Sequence, residues 1–162
     1  MVRIGFSTSN GWISKAIRDA THSLVSHAFM LYDSADFGAE MILQAWWTEY
    51  EDISREKFEE TNTIVDLIVP VMPLDPVMKF ARDWLGTKYD FGGVIGELPV
   101  LAARALGRRI HNPWHSPGAL YCSEAIARGL QLVNYPDADT LDPATTSPDD
   151  LLRFMRAPGH WR

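Results

Sequence analysis

Two apolar runs, Leu24 to Tyr32 and Met41 to Trp47, flank a connection of a few residues, Ser34 to Gly38. So short a link cannot cross a sheet to a parallel neighbour, which takes roughly a dozen residues or more. The runs therefore read as an antiparallel hairpin, and the rest of the chain must fold around it. Arg3 to Ser7 supplies an earlier strand, and Thr61 to Val71 a later one ended by Pro70 and Pro73. The acidic stretch from Glu49 to Glu60 fits either a strand edge or a solvated loop.

Helical signals frame these strands. Trp12, Ile13, Ala16, Ile17 and Ala20 recur at helical spacing after a Ser/Asn/Gly turn, with Ser9 or Asn10 placed to cap. Asp75 and Pro76 mark a start for a helix over Val77 to Leu85, closed by Gly86. Val94 to Leu106 is small and apolar up to Gly107, and Arg108 to Gly118 reads as a proline-bearing loop. Cys122 to Val133 is helical, and Asn134 to Ser147 is a loop. A last helix opens with Ser147 as cap, Pro148 in the first turn, and Asp149 and Asp150 at its positive end. Antiparallel strands followed by helices give an α+β class. No repeat or linker divides residues 1–162, so a single domain is expected.

Apolar residues make up 46% of the chain, enough to bury a real core. The formal net charge of −6 argues against a phosphate-tracking surface, and the largest basic group (Arg104, Arg108, Arg109) is too small to reverse it. No nucleic-acid partner is therefore expected. The first residues lack the layout of a secretory signal, and no apolar run is long enough to span a bilayer. A cytoplasmic protein is expected, or one carried within a larger assembly such as a phage particle.

Cys122 is the only cysteine, which excludes an internal disulfide and any multi-cysteine zinc site. It lies where a loop gives way to a helix, facing the free amides of the first turn and the positive end of the helix dipole. Both favour the thiolate, and the same amides can donate to an oxyanion. A small apolar space-filler would suit the position equally well. A nucleophile also needs a base, for which His22, His27, His111, His115 and His160 are available. His27 opens a strand. Pro113 interrupts the helical face that a His111/His115 metal pair would need.

Taken together, Ser26-His27-Ala28-Phe29, then Ile42-Leu43-Gln44-Ala45-Trp46, then Lys88-Tyr89-Asp90-Phe91-Gly92-Gly93 and Tyr121-Cys122-Ser123-Glu124 resemble the circularly permuted papain-like enzymes of the NlpC-type superfamily, in their YiiX-like branch. Gly5-Phe6, the Ser14-Lys15-Ile17-Arg18 helix and the closing Ser-Pro-Asp helix start extend the resemblance from Gly5 to about Leu152. It implies a permuted papain-like domain in which the histidine strand precedes the cysteine helix, the reverse of papain's order.

Carried onto this sequence, the resemblance implies Cys122 as nucleophile, His27 as general base and Gln44 as the residue that orients the imidazole. Relatives often hold a glutamate in place of Gln44. A glutamine can hold the ring by one bond but cannot stabilise imidazolium by charge. Glu40 and Glu49 are the fallback carboxylates. Tyr121, Tyr89 and Ser123 are candidates for substrate contact, and Trp12, Trp46, Trp47 and Trp114 for an apolar groove. Tyr121 stands where NlpC-type peptidases carry an aspartate that grips a peptide amine, so the expected substrate widens to a small molecule, peptide or lipid bearing an amide or ester. Neither a metal nor an organic cofactor is implied. The rival expectation is a catalytically silent member that binds lipid or peptide in the same groove.

Overall fold

The computed structural model describes residues 1–46, 49–88, 99, 103, 107 and 121–162. The predicted helix at 94–106 and the loop at 108–118 fall almost wholly outside them.

Five strands form one antiparallel sheet: β1 (Val2–Ser9), β2 (His27–Ser34), β3 (Ala39–Trp46), β4 (Glu49–Ser54) and β5 (Asn62–Ile68). Their spatial order is β4-β3-β2-β1-β5. The hairpin of β2 and β3 is present, pairing Met30 with Leu43 and Tyr32 with Met41. The acidic stretch begins as the edge strand that was one of its two alternatives, and in place of a solvated loop it continues as the short helix α2 (Arg55–Glu59), capped by the Ser54 hydroxyl.

Alternation along the strands divides the core between the sheet's two faces. On one face Ile4, Phe6, Ala28, Met30, Leu43 and Ala45 meet α3 (Asp75–Asp83), α4 (Cys122–Leu132) and α5 (Pro148–Arg156). On the other, Phe29, Leu31 and Ile42 pack with Phe58 of α2. Gly5 lies opposite Phe29 on this smaller face. A Cβ there would come within 2.2 Å of the Phe29 ring, so only glycine admits the ring. Gly129 does the same between helices, since a Cβ would meet Val77 Cγ1 at 2.6 Å. This lets α4 lie close to α3 while it packs mainly on β2.

α1 (Trp12–Thr21) links the end of β1 to the start of β2. Its N-cap is Gly11, and neither Ser9 nor Asn10 caps it as predicted. The Ser14 hydroxyl instead accepts the Ser9 N–H at 3.1 Å and lies 2.6 Å from the Ser26 hydroxyl. Arg18 closes the knot by donating to Ser14 Oγ at 2.5 Å, to the Ser9 carbonyl at 3.0 Å and to Thr8 Oγ1. The residues that carry the resemblance in this helix thus brace the approach to His27. α3 lies two residues earlier at each end than the predicted Val77 to Leu85, with Leu74 rather than Asp75 as N-cap. The last helix starts as predicted: Ser147 Oγ accepts the Asp150 N–H at 3.1 Å, and Asp150 answers on the Ser147 N–H at 3.0 Å.

Candidate active site

His27 is the first residue of β2, on the central strand of the sheet, and is 5% exposed. Its ring lies in an aromatic collar, with ring centroids 6.3 Å from Phe29, 6.2 Å from Phe58 and 5.2 Å from Trp46, the last edge-on. Strand alternation puts Gln44 of β3 on the same face. Its Oε1 sits 2.8 Å from His27 Nε2. Gln44 is itself 2% exposed, and its Nε2 donates to Glu51 Oε1 on β4 at 2.8 Å. Three adjacent strands thus contribute one residue each to a continuous polar chain.

This chain has a direction. A carboxylate only accepts, so the Gln44 amide must turn its NH₂ toward Glu51 and its oxygen toward His27. That oxygen in turn requires a hydrogen on His27 Nε2, leaving Nδ1 with its lone pair. Burial pushes the imidazole pKa down from 6.5 to about 4, and the bond to Gln44 recovers only part of the loss. His27 is therefore neutral at physiological pH, in the tautomer whose Nδ1 can accept a proton.

Cys122 is the first residue of α4 and is buried, with Tyr121 as N-cap. Tyr121 packs against Ile17 of α1, whose two ends join β1 to β2. The start of α4 is thus held against the helix that leads into His27. Two of the three predicted catalytic side chains, His27 and Gln44, are in direct contact. The third, Cys122, begins a helix whose apolar side covers the sheet face of Ala28 and Met30, opposite the face that carries the His27 ring and Phe29.

Other predicted residues have different surroundings. The Tyr121 hydroxyl donates to the Pro143 carbonyl at 2.7 Å, and the Ser123 hydroxyl to the Thr146 carbonyl at 2.6 Å. Both side chains are almost wholly buried, and both fix the start of α4 to the loop before α5. Glu124, also buried, accepts from the Tyr121 N–H at 3.4 Å and pairs with Arg128 at 2.6 Å. Trp46 belongs to the site, while Trp12 stands 68% exposed. Tyr89, Trp47, Trp114, His111 and His115 lie outside the described residues.

The fallback carboxylates give way to Glu51. Glu40 pairs with Asp33 at the far end of the hairpin and is held by Arg55 at 2.7 Å and by Arg3. Those bonds keep its carboxyl below the usual range. Glu49 is paired with Trp46 and bridges to Lys88. Glu51 lies directly across from Gln44. The alternation of Glu49, Glu51 and Ile53 was a usable signal, but only with the register of β4 in hand.

Among the described residues, no group of three or more His, Cys, Asp or Glu side chains converges as metal ligands would. Among the same residues, no helix is long and apolar enough to cross a membrane. No protein-family model and no curated protein matches the sequence. The fold does have a solved counterpart, the crystal structure of metalloprotein YiiX from Escherichia coli O157:H7. It matches over 98% of this chain and 92% of its own, with a TM-score of 0.54 and 18% identity. At that identity the likeness is one of fold, and it is the fold that the permuted papain-like resemblance implies.

Proposed function

We propose that this protein is a thiol-dependent acyl hydrolase or acyltransferase, with Cys122 as nucleophile and His27 as general base. The observation that carries the reading is the buried His27–Gln44 bond, which leaves Nδ1 of a neutral imidazole available as a base. In the first half-reaction Nδ1 takes the thiol proton as Sγ bonds to the carbonyl carbon of an amide or ester. In this reading the backbone amide of Cys122, in the first turn of α4, receives the oxyanion. The C–N or C–O bond then breaks, and His27 returns the proton to the departing amine or alcohol. In the second half, water or an acceptor attacks the thioester, giving its proton to His27, which passes it back to the sulfur.

The low affinity of His27 for a proton favours transfer during attack over a preformed thiolate–imidazolium pair. The substrate class is an acyl amide or ester of a peptide, lipid or small molecule, received beside Trp46. Tyr121 and Ser123 contribute by fixing the start of α4. The fold neighbour is described as a metalloprotein, whereas the roles proposed for Cys122, His27 and Gln44 require no metal.

A thiol-reactive acyl probe tests this directly. Wild-type protein should label at Cys122, Cys122→Ala should not label, and His27→Ala should label far more slowly at neutral pH. Equal labelling of wild type and His27→Ala would sink the pairing. The depth at which His27 is buried, beside an uncharged amide, favours a second reading as an inert binder. That reading expects a Cys122 thiol titrating near an ordinary value of about 8.5.

A further inference from the structure

We infer that Glu51 is a positioning residue of this site, acting on His27 through the Gln44 amide; the inference rests on the thiol-hydrolase reading above. Gln44 is clamped at both ends, with 2.8 Å to His27 on its oxygen and 2.8 Å to Glu51 on its nitrogen. Rotating the amide by half a turn would set its oxygen against a carboxylate and its NH₂ against the ring. Glu51 forbids that state, because two acceptors would then face each other without a proton. The carboxylate therefore selects the amide orientation, and the amide selects the imidazole tautomer.

Glu51 also contributes charge. Its bond to Gln44 is charge-assisted and polarises the amide, making Oε1 a stronger acceptor toward Nε2–H. When His27 takes the thiol proton, the imidazolium finds a negative charge one amide away. The carboxylate stands one strand away from the strand that touches the ring, on β4, and Gln44 of β3 spans the gap. Keeping it off the ring leaves the resting imidazole neutral. The β3–β4 register that sets Gln44 opposite Glu51 is what makes the arrangement possible.

Two readouts on the full-length chain test the proposal: ¹⁵N NMR of the His27 ring, and the rate of Cys122 alkylation by iodoacetamide. Wild-type His27 should be the Nε2–H tautomer. Glu51→Ala should lose that single tautomer and slow alkylation about tenfold or more. Glu51→Gln, whose side-chain oxygen can accept the same bond, should keep the tautomer and lose less rate. Gln44→Glu alone sets two carboxylates together and should be slow. The double variant Q44E/E51Q restores one carboxylate and one amide in exchanged order, so it should recover most of the wild-type rate. An Nδ1–H tautomer in the wild type, or a Glu51→Ala variant unchanged in both tautomer and rate, would overturn the proposal. So would a folded double variant no faster than Gln44→Glu. An unreactive wild-type Cys122, combined with a tautomer that Glu51→Ala abolishes, would overturn the hydrolase reading while supporting the relay.

Discussion

The two faces of the sheet are built from the same five strands but on different terms. The face beneath α3, α4 and α5 is lined by mostly apolar side chains from Val2 through Met155 and gains its stability mainly from their burial. The opposite face has a small apolar group around Phe29 and Phe58, and beside it carries His27, Gln44 and Glu51. Buried polar groups cost stability unless every donor meets an acceptor. On the smaller face His27, Gln44 and Glu51 meet that condition through one linear chain, while the buried hydroxyl of Ser7, opposite His27, has no hydrogen-bond partner among the described residues. The larger face therefore sustains the fold, while the smaller one holds a titratable group whose contribution depends on pH.

Emptying the larger face should have the largest effect. Leu43 is 1% exposed among the residues under the helices. Leu43→Ala should cost about 3–4 kcal/mol in urea unfolding, the sum of lost transfer energy and residual cavity. A loss below about 1 kcal/mol would mean that the two faces are energetically alike.

Acid should single out the smaller face. The folded-state pKa of His27 is about 4 against 6.5 for the free side chain, so between these values the unfolded chain binds the proton first. Stability contributed by neutral His27 is full above about pH 6.5 and is lost as pH falls toward 4, by about 3 kcal/mol from this group. Chemical denaturation across that range, repeated with His27→Gln, should show a shallower slope for the variant. Identical slopes would mean that His27 is not held neutral by burial.

A third and smaller effect concerns packing rather than charge. Gly5→Ala drives a methyl into the Phe29 ring that supports the collar, and should destabilise by about 2 kcal/mol. It should also slow Cys122 labelling, because the ring that would move is packed beside His27. Destabilisation with labelling unchanged would separate the collar from the site.

The larger face was legible in the sequence, because it follows from periodicity. The apolar runs of β2 and β3 and the Ser147–Asp150 helix start can each be read from a few neighbouring residues. His27 and Gln44 were legible only through resemblance, since a lone histidine and a strand glutamine have no local signature. Glu51 was hidden for a physical reason. Its partnership depends on the register of β4 against β3, which sets Gln44 opposite Glu51. Ser9 and Asn10 misled for a related reason: Arg18 and Ser14, from the following turns of the helix, claim the acceptors and donors near its start.

The strand order carries a consequence for how the site fails. His27 belongs to the middle strand, whose amides are tied on both sides, whereas Glu51 belongs to a strand at the sheet's margin. Amide exchange in sheets is slowest at the centre and fastest at margins, which open in local excursions well below the free energy of global unfolding. A brief lifting of β4 would unhook Glu51 from Gln44 and free the amide to rotate, while β1, β2 and β3 stay paired. Warming should therefore blunt the protein's reactivity before it melts, and the loss should reverse on cooling as fast as one strand can re-zip.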